Sequence, residues 1–191
     1  MKYEPDYFIE EIYELESSGM LADLALNISL FTHFIDFDDS DRERGISYIK
    51  SVLEECYKAG HLRVAISHEN KTLYGYAMMF VHPDPTIPKY LHKIYVKEPY
   101  RGHGIGAQIL TSLSENESLI SLICPSDKIE FYEKYGFQYI QNFEVPENDN
   151  FLLSKGMYSG LSIMNNHSEP IGAPIFFLND KDIKAIIGTK I

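Results

Sequence analysis

Apolar positions along the 191-residue chain change their period after Gly60. Before it they recur as on helices. Phe8, Ile9, Ile12 and Leu15 lie at helical spacing over Phe8–Ser18, and Gly19 stands where a left-handed C-cap would end that helix. Leu21–Ile35 is more continuously apolar, with Leu24, Ile28 and Phe31 on one stripe, and predicts a second helix. The acidic run Asp36 to Asp41 has no helical period and predicts a loop. Ser40, with Glu43 three residues on, reads as a capping box opening a third helix. Its apolar positions Ile46, Ile49, Leu53 and Cys56 or Tyr57 repeat at three and four as far as Gly60.

After Gly60 the runs are short and rich in Val, Ile, Tyr and Phe. Leu62–Ser67 and Leu73–Val81, joined through His68-Glu69-Asn70-Lys71, predict a hairpin. Three prolines between His82 and Pro88 force a loop, and Leu91–Val96 predicts a third strand. A helix over about Gly104–Glu115, a buried strand Leu119–Cys124, a short helix capped by Asp127 and Glu130 and ending at Gly136, and a strand Phe137–Phe143 follow. Val145–Met157 reads as a loop and Leu161–Met164 as a short strand. Ile175–Leu178 is a candidate extra strand, and Asp180–Ile187 a last turn or two of helix. Helices, then a meander, then alternating strand and helix make an α+β (mixed α/β) layout. It fits a single domain over residues 1–166 with residues 167–191 as its C-terminal extension.

Composition narrows the function classes. No apolar run approaches the roughly 18 residues of a membrane span, and the start, acidic from Glu4, reads against a secretory signal. Two cysteines, Cys56 and Cys124, are too few for a disulfide framework, so a reducing cytoplasm is expected. The net charge of −11 argues against nucleic acid as main partner. That charge is uneven: residues 1–60 hold 14 acids and 5 bases, residues 61–140 hold 8 of each. The acidic loop lacks the glycine and glutamate of an EF-hand, and His33, His61, His68, His82 and His167 show no ligand spacing, so no metal is expected. Cys124, on a buried strand with no activating base apparent, is expected to pack.

The strongest chemical signal follows the third strand. Arg101-Gly102-His103-Gly104-Ile105-Gly106-Ala107 places three glycines in five residues at the start of a helix. Glycine lets the backbone turn its N–H groups towards an anion, the helix N-terminus adds free donors and partial positive charge, and Arg101 adds a cation. The pattern nominally matches a dinucleotide fingerprint. However, it lies after a helical region and a hairpin, and Lys97–Arg101 separates strand from glycine, which argues against a Rossmann unit. No Gly-Lys-Ser/Thr follows, so it is not a P-loop.

The segment resembles the GNAT superfamily of acetyl-CoA-dependent N-acyltransferases, whose signature is Arg/Gln-x-x-Gly-x-Gly/Ala after a strand; Arg101 to Gly106 matches it. A second block of that family, Phe131-Tyr132-Glu133-Lys134-Tyr135-Gly136-Phe137, follows at the expected distance. The resemblance spans about residues 62–143. It implies a central, mostly antiparallel sheet of six or seven strands, flanked by helices, in which two parallel strands splay to admit acetyl-CoA. The diphosphate would sit on the N–H groups of Gly102, His103, Gly104, Ile105, Gly106 and Ala107, beside Arg101 and Lys134. The pantetheine would pair with Ile94, Tyr95 and Val96, and an N–H near Tyr95 or Val96 would polarise the thioester carbonyl. Tyr132 matches the tyrosine that protonates the leaving thiolate. His92 stands where polyamine-acetylating members carry a glutamate base; Tyr90, Glu98 or water are the alternatives. Pro125 replaces a frequent cofactor-binding asparagine. The implied activity is acetyl transfer to a primary amine, and a small cationic acceptor fits the acidic first third, with Asp36, Asp38, Asp39 and Asp41 on its rim. Two other readings are a catalytically degenerate acetyl-CoA-binding module and an acetyltransferase of protein N-termini or lysines. The apolar tail is compatible with a homodimer.

Overall fold

Among the described residues six helices and six strands follow one another: α1 Asp6–Leu26, α2 Phe31–Phe34, α3 Asp39–Lys58, β1 Leu62–Glu69, β2 Thr72–Phe80, β3 Lys89–Val96, α4 Ile105–Asn116, β4 Ile120–Pro125, α5 Ile129–Glu133, β5 Gln138–Asn142, β6 Leu161–Asn165 and α6 Asp180–Ile187. The structure, a computed structural model, describes residues 6–28, 30–145, 150–168, 172–173 and 175–188. The chain forms two units, one of Met1–Ile9, Tyr57–Phe143 and Gly160–Phe176, the other of Glu10–Cys56, Glu144–Ser159 and Phe177–Ile191.

The first unit holds one sheet in the order β1-β2-β3-β4-β6-β5. Its pairs are antiparallel except β3–β4, which α4 connects as a parallel crossover. One face carries the core. Ala65, Ala77, Met79, Leu91, Ile120, Leu122, Cys124 and Met164 meet Ile109, Leu110 and Leu113 of α4, with Tyr132 of α5 packed against them. Alternation along β2 and β3 sends Phe80 and Tyr90 to the other face. There Phe80 stacks on Phe176 of the tail at 4.5 Å, nearly parallel.

In the second unit α6 is the anchor for distant parts of the chain. Arg44 on α3 donates to the carbonyls of Ile186 and Ile187, at 3.2 and 3.0 Å, and pairs with Asp41 at 2.7 Å. Tyr48 donates to Asp182 at 2.8 Å. The buried carboxylate of Asp180 accepts the N–H groups of Leu152, Leu153 and Ser154. On α3, Lys50 bridges to Glu10 and Glu14 of α1.

Several local expectations give way to tertiary context. α1 does not stop at Gly19 but runs to Leu26. Its buried stripe of Phe8, Ile12, Tyr13, Glu16 and Ser17 continues through Leu21 and Leu24, and that burial outweighs the roughly 1 kcal/mol a helical glycine costs. Of the second predicted helix, Leu21–Leu26 is the end of α1, and only the single turn of α2 follows it. The acidic loop is partly helix, since α3 starts at Asp39. Its capping box is not Ser40/Glu43: the Asp38 carboxylate accepts the Asp41 N–H at 2.8 Å, and Asp41 accepts the Asp38 N–H at 3.4 Å. The helix at Ile129 has no side-chain cap from Asp127. Ile175–Leu178 is not a strand; Phe176 and Phe177 instead pack their rings against aromatic partners.

Asp180→Ala leaves the N–H groups of Leu152, Leu153 and Ser154 without their acceptor and is expected to cost about 2–3 kcal/mol, read by chemical denaturation. A loss under about 0.5 kcal/mol would show that the carboxylate is dispensable.

Candidate active site

The site begins with a fault in the sheet. Met78 faces Lys93 and Met79 faces Leu91, so His92 is the extra residue of a β-bulge on β3. Just there the parallel ladder stops, having paired Lys89, Tyr90 and Leu91 with Ile120, Ser121 and Leu122. Beyond that point β3 stays with β2 to Val96, while Ile123, Cys124 and Pro125 stay with β6. The two parallel strands therefore part.

The bulge also decides which main-chain groups face the gap. Before it, Lys89 donates its N–H to Leu119 at 2.8 Å, so odd-numbered residues face β4. After it, Lys97 donates to Tyr74 on β2 at 2.9 Å. By ladder alternation Lys93 and Tyr95 also turn to β2, and Ile94 and Val96 turn to the gap. The Val96 carbonyl accepts Arg101 Nε at 3.0 Å, in keeping with that direction. Of the two main-chain N–H groups the sequence left open, that of Val96 faces the gap and that of Tyr95 does not. Gly75 permits this pairing: a Cβ there would lie 2.5 Å from the Tyr95 carbonyl oxygen. A lone glycine inside a strand pattern marks such a close approach, and Gly75 is its signal in the sequence.

From Val96 the chain makes a 3₁₀ turn, Glu98–Tyr100, and enters α4 through Gly102 and Gly104, at φ 79 and 78. A Cβ at either glycine would meet nothing within 4 Å, so the positive φ, not crowding, favours glycine. No side chain caps α4, and its first i→i+4 bond is Gln108 to Gly104. The N–H groups of Ile105, Gly106 and Ala107 precede that bond at the open helix end, a ready anion site. The Arg101 guanidinium lies 5.9 Å from the Tyr95 ring, and His103, exposed, pairs through Nδ1 with the Arg101 carbonyl at 2.9 Å. Lys134 is exposed at the end of α5, and Glu98 is exposed in the 3₁₀ turn.

Tyr132 lies on the α4 face, with Ile94 and Cys124 from the two sides of the gap in the same cluster. Burial, and then the nearby Cys124, push its phenol up to about 12. Burial likewise pushes up the Cys124 thiol, which sits 3.5 Å from Met164 Sδ. A thiol held protonated is suited to packing and not to attack. His92 lies on the opposite face, its ring 5.6 Å from Phe80, 5.9 Å from Tyr90 and 5.3 Å from Phe176, with both ring nitrogens shielded from solvent. The structure thus brings Val96, Ile94 and Tyr132 to the gap and puts His92 at its mouth on the other side. Phe176, the tail residue that closes the aromatic group, carried no motif signal.

Residues 55–139 match the acetyltransferase (GNAT) domain family. The fold is similar to that of the ribosomal-protein-alanine N-acetyltransferase from Brucella melitensis, at 17% identity, covering 86% of this chain and 96% of the other, TM-score 0.54. It is also similar to the histone acetyltransferase HPA2 and related acetyltransferase from Corynebacterium glutamicum, at 16% identity, covering 87% and 95%, TM-score 0.52. Residues 55–139 thus carry an acetyltransferase (GNAT) domain, and the six-stranded, mostly antiparallel sheet with one splayed parallel pair is in keeping with that match.

Proposed function

We propose that the protein transfers the acetyl group of acetyl-CoA to a small primary amine by direct attack, with both substrates bound. The observation that carries this is the gap between β3 and β4, flanked by an anion-binding helix end and by a buried phenol. The residues fit the co-substrate. Positive-φ glycines and the open end of α4, with Arg101 and Lys134, suit a diphosphate. The outward-facing edge at Ile94 and Val96 suits the amide groups of an extended pantetheine, and the Val96 N–H suits a carbonyl acquiring negative charge.

In this reading the amine arrives as ammonium and gives a proton to His92 on one face of the gap. It then forms its N–C bond to the acetyl carbon as the C–S bond breaks, and the thiolate takes the Tyr132 proton on the other face; the second proton leaves the acylated nitrogen and, through solvent, restores the Tyr132 phenol, giving a neutral amide and free CoA thiol. A phenol pushed up to about 12 is fully protonated at neutral pH and yields its proton only to a strong base, such as a thiolate in the same apolar surroundings. A cationic acceptor is supported by the excess of acids in residues 1–60. Asp36 and Asp39 are exposed, whereas Asp38 and Asp41 are engaged in capping α3. Among the described residues no helix is long and apolar enough to cross a membrane, and Cys56 and Cys124 are both free, in keeping with a reducing compartment such as the cytoplasm.

Tyr132→Phe is expected to lower kcat about 10²-fold or more while CoA affinity stays unchanged, as measured by thiol release and calorimetry. In the parent protein the rate should hold on the alkaline side to pH 10, because the raised phenol pKa keeps the proton on Tyr132 until about 12. An alkaline fall with a midpoint below 10 that vanishes in Tyr132→Phe would contradict this. His92→Gln should cost a comparable factor in kcat while CoA affinity stays unchanged; an unchanged kcat would place the base elsewhere.

Gly104→Ala forces a side chain into the left-handed region at a cost of about 1–2 kcal/mol and should weaken CoA binding about tenfold. Gly106→Ala, whose Cβ would rest 3.7 Å from Val96 Cγ2, should leave stability within about 0.5 kcal/mol. Equal effects of the two substitutions on CoA affinity would remove the glycine turn from the binding site.

A further inference from the structure

On the face of the sheet opposite α4 lies a cavity of about 570 Å³, within the size range of small-molecule sites. Its wall follows β4 from Ser121 to Ile123, across the point where the β3–β4 ladder stops at Leu122. Tyr90, also on the wall, has its ring 5.9 Å from that of His92. The cavity thus opens beside the mouth of the gap, on the side of the proposed base. Across it stand Ile163 and Asn165 of β6, and Ala173 of the tail.

The chemistry of the wall is specific. Among the described residues lining it there is no Asp, Glu, Lys or Arg. Its polar groups are hydroxyl, amide and imidazole: Ser121 Oγ lies 3.4 Å from His167 Nε2, and Asn165 Oδ1 is buried. Isoleucine, leucine and tyrosine side chains supply most of the rest. An ammonium placed in such a cavity would lose its hydration with no carboxylate to replace it, whereas an alkyl or aryl group would gain from burial.

We infer that this cavity takes the side group of the acceptor, and that the acceptor is a primary amine carrying an uncharged, mainly apolar group in place of a second cationic centre. This rests on the acetyl-transfer reading and narrows it. The reacting ammonium remains at the gap, beside His92, and only its substituent enters the cavity. Diamines and polyamines are poor acceptors on this account, because one of their charges would have to enter an apolar wall.

The test uses the full chain with acetyl-CoA and n-alkylamines from propyl- to hexylamine, with 1,4-diaminobutane set against its near-isostere pentylamine. Thiol release gives kcat/KM, and calorimetry in the presence of CoA gives the affinity. The expected result is a gain of about fourfold per added methylene in both, and pentylamine at least tenfold better than the diamine. Ala173→Phe, which fills the cavity from the tail, should flatten the series while leaving CoA affinity unchanged. A flat series, or a diamine equal to or better than pentylamine, overturns the inference even if transfer proceeds. A methylene-dependent affinity without any thiol release upholds the cavity as the side-group site and overturns the transfer reading instead.

Discussion

β3 carries one residue more than β2 has places for, and the chemistry of the site hangs on where that residue falls. At His92 the extra residue reverses which main-chain groups point to which neighbour, so that Lys89 faces β4 and Val96 faces the gap although their numbers differ in parity. The same irregularity coincides with the end of the parallel ladder. A regular strand at this point would have turned Lys93 and Tyr95 to the gap in place of Ile94 and Val96. The close contact at Gly75, the aromatic group around His92 and the seating of the Arg101 side chain on the Val96 carbonyl all accommodate a strand that has been shifted in this way.

The two faces of the sheet divide the work. On the α4 face stand the open helix end and a phenol whose burial keeps it protonated. On the other face stand His92 and a cavity without fixed charge. Two reactants that approach a gap from opposite faces need not exchange places, which suits transfer without an acyl-enzyme. In the proposed mechanism Tyr132 and His92 stand on separate faces and so do not exchange a proton directly.

What could be read from the residues, and what could not, follows from the range of the interaction concerned. The glycine turn, the hairpin, the α6 segment and the strand β4 rest on local rules, and the chain spells these out in Arg101–Gly106, in the Val- and Tyr-rich runs and in Asp180–Ile187. Gly19 misleads because its cost is small beside the burial of Leu21 and Leu24. Ser40 and Glu43 satisfy the capping pattern, yet Asp38 and Asp41 satisfy it two residues earlier, and Asp41 gains Arg44 besides. Ile175–Leu178 has strand composition, but its aromatic rings find partners that leave no ladder to join. The bulge is invisible in sequence because nothing in Leu91-His92-Lys93 marks a surplus residue; only pairing with β2 shows it.

The interleaving of the two units bears on how the protein comes into being. Arg44 bonds to a carbonyl 142 residues away, and the loop around Leu153 closes only on Asp180. Neighbouring residues Phe176 and Phe177 serve different units. The helices of residues 6–58 therefore cannot complete their packing until residues 180–187 have been made. Contacts of such separation carry a high loop-closure cost before they return any stability. During that interval α1 and α3 expose apolar stripes with no finished partner, so the nascent chain, more than the folded enzyme, is the form exposed to aggregation and dependent on chaperones.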